Sequence, residues 1–508
     1  GSDMCIRDRG HTTATKLLEG QVARSLCFSP DGRYLAVGTM AEGGNAPQVH
    51  LWDTVTKKRL FARALQRSVI SVAFSPDGRW LACNGGESHH VFLWEFDGRG
   101  RLVNERTKLL SGGDRIVDVR PTPRDGGFQT RIVTNTGEQL LFDPIAIDDD
   151  PLAIIPKARA MAVEPVERGV WNLKTAGNRY RLQLFQGGAK RGFIELDPLR
   201  QGGLATADSY CFVPDEFGRP IAVAVGTDTS NEIFVYNLPA AGKCDILRRF
   251  RGHMADVTAL SITVDRRYLV SGSADGTVRY WKLTGLSEKT FTRRWGAKVV
   301  IADDGVGLKV TECSDSGPLF QKGVRVGDVI AKIVWPENES GDGRILGTVD
   351  PKAMYRELQA QPWSKQFGMD IRRGDEMLDR FNVVSGWHHL LAVYVHNGDW
   401  IAWHPSGYYA CSPGGNGLIG WQINEDIGDT PKLFPAVRFH KSLYRPKEVS
   451  KLLAAGGLAK PDAAVSRPPP PPLVELTAPG GRRVEHDAPT IVVRARARAT
   501  GDEPLISM

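Results

Sequence analysis

Residues 251–282 read RGHMADVTALSITVDRRYLVSGSADGTVRYWK. At period two the stretch divides into three short strands, 257–262, 268–271 and 277–281, separated by turns that carry Asp and Gly. Three strands leave an open sheet edge, so a fourth is expected to follow. The residues with chemical capacity are His253, Ser271 and Asp275, with Trp281 closing the third strand. A His, a Ser and an Asp together raise the question of a hydrolytic triad.

The same pattern recurs upstream. Phe28-Ser29-Pro30-Asp31-Gly32-Arg33 returns as Phe74-Ser75-Pro76-Asp77-Gly78-Arg79, 46 residues later, and Trp52 and Trp94 each close a strand 42 residues apart. Pro-Asp-Gly supplies a tight turn between the first two strands of each unit. Repeats of about 40 to 45 residues with four strands, a Gly-His near the start and a Trp at the end resemble blades of a WD-repeat β-propeller. The resemblance implies that His253, Ser271, Asp275 and Trp281 form a buried hydrogen-bonded chain stiffening one blade, which accounts for all three triad-type residues without catalysis. Between Trp94 and Trp281 the best closing aromatics are Phe142, Phe185 and Tyr236, giving steps of 48, 43, 51 and 45 and four further blades, of which the one near 157–200 is the most degenerate.

Composition bounds the rest. The chain has 508 residues, 41% hydrophobic and 24% charged, with a net charge of +7. That is ordinary for a globular protein of two to four domains. The basic clusters at 248–251, 293–294 and 482–483 are short and scattered, so no nucleic-acid face is expected. Seven cysteines without a CxxC pair suit free thiols in a reducing compartment, and neither a zinc site nor a cofactor is expected. Asp148-Asp149-Asp150 reads as a solvated turn, not a metal site. No run approaches the length of a membrane span and no signal-peptide core follows the N-terminus, so a cytoplasmic protein is expected. Residues 1–12 read as a tag and non-native leader.

After Trp281 the next closure of the same style is Trp421, 140 residues on. One blade leaves room for a small inserted domain, near 296–376. Gly305-Val306-Gly307-Leu308 opens a strand at 308–312, Ser316-Gly317-Pro318-Leu319 starts a helical turn, and Val326-Gly327-Asp328-Val329-Ile330 leads into the next strand. A helix, Pro351–Ala360, and a strand at 367–372 complete a set that resembles a PDZ domain. The resemblance implies capture of an extended peptide by strand addition to 308–312, with the peptide carboxylate held by the N–H groups of Val306, Gly307 and Leu308. Gly305 and Gly307 would give the loop positive dihedrals, and Leu308 and Met354 would line the side-chain pocket.

The stretch 389–426 resumes the propeller and resembles the closing blade of bacterial WD-repeat proteins whose larger members carry a caspase-like peptidase domain. His404 and Cys411, seven residues apart, pose a nucleophile pair, but both read as strand and turn residues of the blade. Past it come a short helix at 447–454, a stiff spacer Pro468 to Pro472, and two strands with the start of a third. Chain order thus predicts a mainly β protein: propeller blades one to six at 13–295, the PDZ-like insert at 296–376, blade seven at 377–430, a helix and Pro-rich linker at 431–473, and an incomplete immunoglobulin-like segment at 474–508. The ring is expected to close by pairing residues 13–18 with the strand near 418–422. The implied function is non-catalytic: a protein- or peptide-binding sensor region linked in cis or in trans to a caspase-like peptidase in signalling or antiviral defence. A free-standing scaffold or peptidase substrate is the alternative, and a Cys hydrolase a third reading.

Overall fold

The computed structural model describes residues 5–6, 15–16, 22–40, 47–65, 69–75, 77–85, 90–106, 114–149, 151–155, 171–175, 181–196, 207–227, 230–334, 347–363, 366–378, 380–423, 432–458, 473–478 and 494–498. Among them the repeats form sheets of meandering strands. The first takes Val22–Phe28, Tyr34–Met40, Gln48–Asp53 and Arg59–Ala64. The second takes Val69–Phe74, Trp80–Gly85, His90–Phe96 and Leu102–Arg106.

The repeated turn explains why these strands fold back. The Ser29 hydroxyl donates to Asp31 at 2.5 Å and accepts the Tyr34 N–H at 2.8 Å, while Asp31 also accepts the Arg33 N–H. Gly32 supplies the positive φ of 69° that closes the turn. Ser75, Asp77 and Gly78 repeat the arrangement.

The third sheet joins Ile116–Arg124, Gly127–Thr134, Gln139–Phe142 and Leu152–Ile155, and the fifth joins Ala207–Pro214, Pro220–Thr227, Ile233–Asn237 and Ile246–Phe250. In these sheets Trp52, Trp94, Phe142 and Tyr236 lie on the third strand. The fourth sheet differs. Phe185 falls on its second strand, Arg181–Gln186, because Gly187 and Gly188, both at positive φ, turn the chain at once into the third strand, Ala189–Glu195. Its outer position is filled by Gly242–Lys243, which pairs in parallel and belongs to the loop before the last strand of the fifth sheet.

The sixth sheet corrects the expected seventh blade. After Trp281 the chain enters LTGLSEKT, which has no strand alternation, so the edge of Thr277–Lys282 is left open. The strand that fills it is Leu391–His396, beyond the insert, pairing Thr277 with Tyr394 and Tyr280 with Leu391. Asp399–Trp403 and Tyr409–Cys411 continue the same sheet, so the stretch expected to build a separate blade extends the sixth to six strands. Six blade-like sheets stand among the described residues, not seven. Trp421 closes no blade: Pro413 and the glycines after it break the strand run, and Gly420–Ile423 forms a hairpin with Lys432–Pro435. Nor do residues 15–16 reach it, since they pair with Cys5–Ile6. The Pro468 to Pro472 spacer lies outside the described residues, and Leu473–Ala478 pairs with Arg494–Arg498.

Packing orders the sheets differently from a consecutive ring. Sheet six meets sheet five through Leu269, Trp281, Ala222 and Val235. It meets sheet three through Ile116, Phe142, Val270 and Tyr280, with the Tyr280 hydroxyl on Thr130 at 2.8 Å and Phe142 edge-on to Trp400. Sheets one and two share a core of their own around Leu51, Leu81 and Trp94. Helix Pro446–Ala455 packs Val449, Leu452 and Leu453 on sheet six, and its last carbonyls accept from Tyr268, Arg267 and Lys282. Cations at a helix C-terminus satisfy the orphan carbonyls and oppose the dipole.

The insert has its own sheet and core. Ala297–Ile301, Leu308–Cys313, Val329–Val334 and Gln366–Arg373 run in that order across it, with Trp295, Leu319, Ile330, Leu358 and Met369 buried beneath. Helix Pro351–Ala360 begins where expected: Asp350 caps it by accepting the Ala353 N–H at 2.6 Å, and Pro351 occupies the first turn. Polar ties hold the insert to sheet five. Arg249 clasps buried Glu232 through Nε and Nη2, and its Nη1 donates to the carbonyls of Trp363 at 2.7 Å and Ser385 at 3.2 Å. Arg248 stacks over Trp387 at 4.0 Å, and Arg294 bonds the carbonyls of Gln361 and Pro362.

Candidate functional site

Two constellations carry polar chemistry. The first lies within sheet six. The Trp281 indole N–H donates to Ser271 Oγ at 2.7 Å, Ser271 Oγ lies 2.6 Å from His253 Nε2, and His253 Nδ1 lies 2.9 Å from Asp275 Oδ2. The donors run in one direction if His253 is neutral. Its Nδ1–H then gives to Asp275 while Nε2 accepts the Ser271 hydroxyl. Burial does push His253 below its ordinary range, against the pull of Asp275. Burial also opposes the charge on Asp275, but His253, Arg279 and the Thr277 hydroxyl outweigh it and hold the carboxyl well below the usual range. Sequence reasoning missed Thr277 and Arg279, which complete the chain by contacting Asp275 at 2.6 and 3.7 Å.

The connectivity matches that of a Ser-His-Asp triad, but Ser271 is fully buried and its oxygen already accepts the indole N–H. No substrate carbonyl can reach it. His404 and Cys411 are also buried and serve other contacts. His404 Nδ1 bonds Ser406 and its Nε2 faces Asp315 at 3.9 Å, while burial, reinforced by Asp399, pushes the Cys411 thiol up to about 11. A thiol so far from ionisation is a poor nucleophile. Cys27, Cys83, Cys211, Cys244, Cys313 and Cys411 are free thiols, and no metal-binding group of three or more ligands occurs among the described residues.

The second constellation is on the insert. Leu308–Cys313, expected to receive a peptide, is an inner strand: Leu308 pairs with Ile301 on one side and Ile330 on the other. The open edge belongs to its neighbour, Ala297–Ile301, the terminal strand of the sheet. Ala302 donates to the Gly307 carbonyl at 3.1 Å, so alternation leaves the main-chain groups of Val299 and Ile301 pointing away from the sheet. Beside this edge runs a groove of about 460 Å³ lined by Val299, Val300, Ile301, Leu308, Tyr355 and the aliphatic parts of its neighbours on helix Pro351–Ala360. Val300 and Ile301 remain 50% and 46% exposed, unusual for aliphatic side chains on an open strand edge. The helix is fixed over the edge by Tyr355 stacking on Phe291 at 5.1 Å and by the Trp295 indole donating to the Leu358 carbonyl.

The expected carboxylate loop is occupied by the chain's own acids. Gly305 and Gly307 have φ of 75° and 92°, but the Val306 N–H donates to Asp304 at 2.9 Å, and Asp304 also pairs with Arg372. That N–H bond first, then Arg372, holds the Asp304 carboxyl below its ordinary range, so the Val306 N–H is already engaged by an ionised acid. Asp303 adds a second carboxylate, paired with Lys309. A peptide carboxylate would have to displace Asp304 from the Val306 N–H. Met354 does not line the groove. It is fully buried in the insert core, because it lies on the opposite side of the helix from Lys352 and Arg356. Of the five residues expected at the peptide site, Leu308 alone borders the groove.

No described helix is long and apolar enough to cross a membrane. A family model for the WD domain, G-beta repeat, matches residues 9–53, 61–95 and 244–282, the last spanning the polar chain of sheet six. The anaphase-promoting complex subunit cdc20 of Dictyostelium discoideum is 23% identical over 284 residues, 54% of this chain and 52% of that protein. Protein ROOT INITIATION DEFECTIVE 3 of Arabidopsis thaliana is 39% identical over 72 residues, 14% of this chain and 16% of that protein. The chain therefore spans about half the length of the first relative and far less of the second. Among solved structures, one of the mitotic checkpoint complex aligns over 53% of this chain and 78% of that chain at 16% identity, with a TM-score of 0.20. Sqt1 from Chaetomium thermophilum aligns over 53% and 70% at 16% identity, with a TM-score of 0.19. The chain carries WD40 repeats, the hallmark of a protein–protein interaction scaffold.

Proposed function

We propose that this chain is the non-catalytic recognition region of a bacterial caspase-like signalling or defence protein. Its repeat sheets present faces to protein partners, and its PDZ-like insert captures an extended peptide. The link to a peptidase rests on the likeness of residues 389–426 to the closing blade of that family. The capture rests on one observation: an exposed, aliphatic strand edge, Ala297–Ile301, borders an apolar groove under a helix. A peptide laid along that edge would satisfy the main-chain groups of Val299 and Ile301 and cover the exposed side chains of Val300 and Ile301. Selection of a peptide-display library on the purified chain tests the reading. Ile301→Pro removes one outward N–H without touching the bonds to the neighbouring strand. Enriched peptides whose binding is lost in this variant support strand addition, and peptides indifferent to it refute it. A His-Gly and Cys-bearing α/β domain encoded in the same gene would support the peptidase link.

A further inference from the structure

Within that peptide-capture reading, we infer that the groove selects internal extended segments in which acidic and aliphatic residues alternate. The observation is the placing of charge around the groove. Lys352 and Arg356 lie on its wall, are exposed, and form no ion pair among the described residues. They stand four residues apart on helix Pro351–Ala360, hence about 6 Å along its axis at 1.5 Å per residue. Alternate side chains of an extended peptide repeat at about 6.6 Å. A strand added to Ala297–Ile301 can therefore set carboxylates at positions i and i+2 against Lys352 and Arg356 in register, while the residue between them turns to the opposite face of the sheet, the one that carries exposed Val300.

The groove's charge also argues against a chain terminus as the ligand. The loop that would hold a terminal carboxylate carries Asp303 and Asp304 and has spent its Val306 N–H on Asp304. At the loop Lys309 and Arg372 are already paired with Asp303 and Asp304, whereas Lys352 and Arg356 on the groove wall form no ion pair among the described residues, so negative charge is favoured along the peptide. Lys352 and Arg356 are on the solvent side of the helix and their replacement leaves the buried Met354 and Leu358 in place.

The test uses the whole chain and fluorescein-labelled nonapeptides, N-acetylated and C-amidated, read by polarisation. One alternates Glu and Val, one alternates Lys and Val, and one has the first composition with its glutamates in a block. A fourth, without acids, ends in a free Val carboxylate. The alternating Glu peptide is expected to bind best, to weaken with added salt, and to lose about tenfold in affinity in Lys352→Glu/Arg356→Glu, where the Lys peptide gains. Equal binding of the Glu peptide to that variant and to the native chain overturns the inference, as does equal binding of the blocked peptide. If the acid-free peptide alone binds and Ile301→Pro abolishes it, strand capture stands and acidic selection falls. If no peptide shows sensitivity to Ile301→Pro, both fall.

Discussion

Ser271→Ala tests whether the buried polar chain of sheet six holds that sheet together. The substitution removes a hydroxyl that is fully buried and serves two partners, the Trp281 indole N–H at 2.7 Å and His253 Nε2 at 2.6 Å. Alanine fits the space, so little packing is lost, but both partners are left without a hydrogen bond where water cannot replace it. A buried polar group stranded in this way costs about 1–3 kcal/mol, and two at the lower part of that range give about 3 kcal/mol. Because 1.36 kcal/mol is tenfold, the slowest amides of residues 257–282 should exchange about a hundredfold faster in native-state hydrogen exchange. Ser287→Ala, at an exposed position, serves as the control and should change nothing. Acceleration of less than about fivefold would refute the reasoning, since it would mean that the indole and imidazole find other partners and the chain is not a structural unit.

Three further outcomes follow from the geometry. Burial holds His388 at about 4 and His404 at about 3, below the ordinary histidine value. The unfolded chain therefore takes up protons first, so the contribution of these two histidines is fully present above about pH 6.5 and is lost as pH falls from there toward 4; a urea midpoint unchanged between pH 7 and 4.5 contradicts this. Arg249→Ala leaves Glu232 with Arg251 alone, frees the Ser385 carbonyl and leaves the Trp363 carbonyl with the Ser385 hydroxyl alone, so the insert should loosen by about 3 kcal/mol, read as faster exchange around 360–363 and 381–387. Cys411 should resist iodoacetamide at pH 7.5 in the folded chain, and rapid, His404-dependent labelling would overturn its assignment as an inert core thiol.

The repeat units were legible where turn chemistry and strand period coincide. Phe-Ser-Pro-Asp-Gly-Arg at 28–33 and 74–79 states its turn outright. Thr263-Val264-Asp265-Arg266-Arg267-Tyr268 makes the same turn, with Thr263 bonding Asp265 and accepting the Tyr268 N–H, yet hides it by placing Arg266, not glycine, at φ 58°. Arg266 is held there by the carbonyls of Asp215 and Glu216, contacts no local pattern announces. The helix Pro351–Ala360 was readable from its Asp-Pro start, but which side faces the core was not, and Met354 was placed on the wrong one. Strand identity in the insert was clear from alternation, whereas which strand keeps an open edge depends on pairings between distant residues. The polar chain of sheet six was readable only as a resemblance. Spacing alone cannot tell a stiffening network from a triad, because the two share their connectivity and differ in burial.

The pairing of Thr277–Lys282 with Leu391–His396 has a consequence for synthesis. The two partners are separated by the whole insert, so the sixth sheet leaves the ribosome three strands wide and stays so until more than a hundred further residues have been added. At about 5–20 residues per second this is a wait of roughly 5–20 s, during which an apolar strand edge lies open to any other nascent chain. The insert, with a core built from its own strands and helices, can fold during that interval and bring residues 293 and 387 together, where the Trp387 indole donates to the Arg293 carbonyl at 3.0 Å, shortening the loop that the late pairing must close. An insert that folds early therefore assists its own host, and destabilising its core should lower the yield of intact sheet six even where no contact between the two is altered.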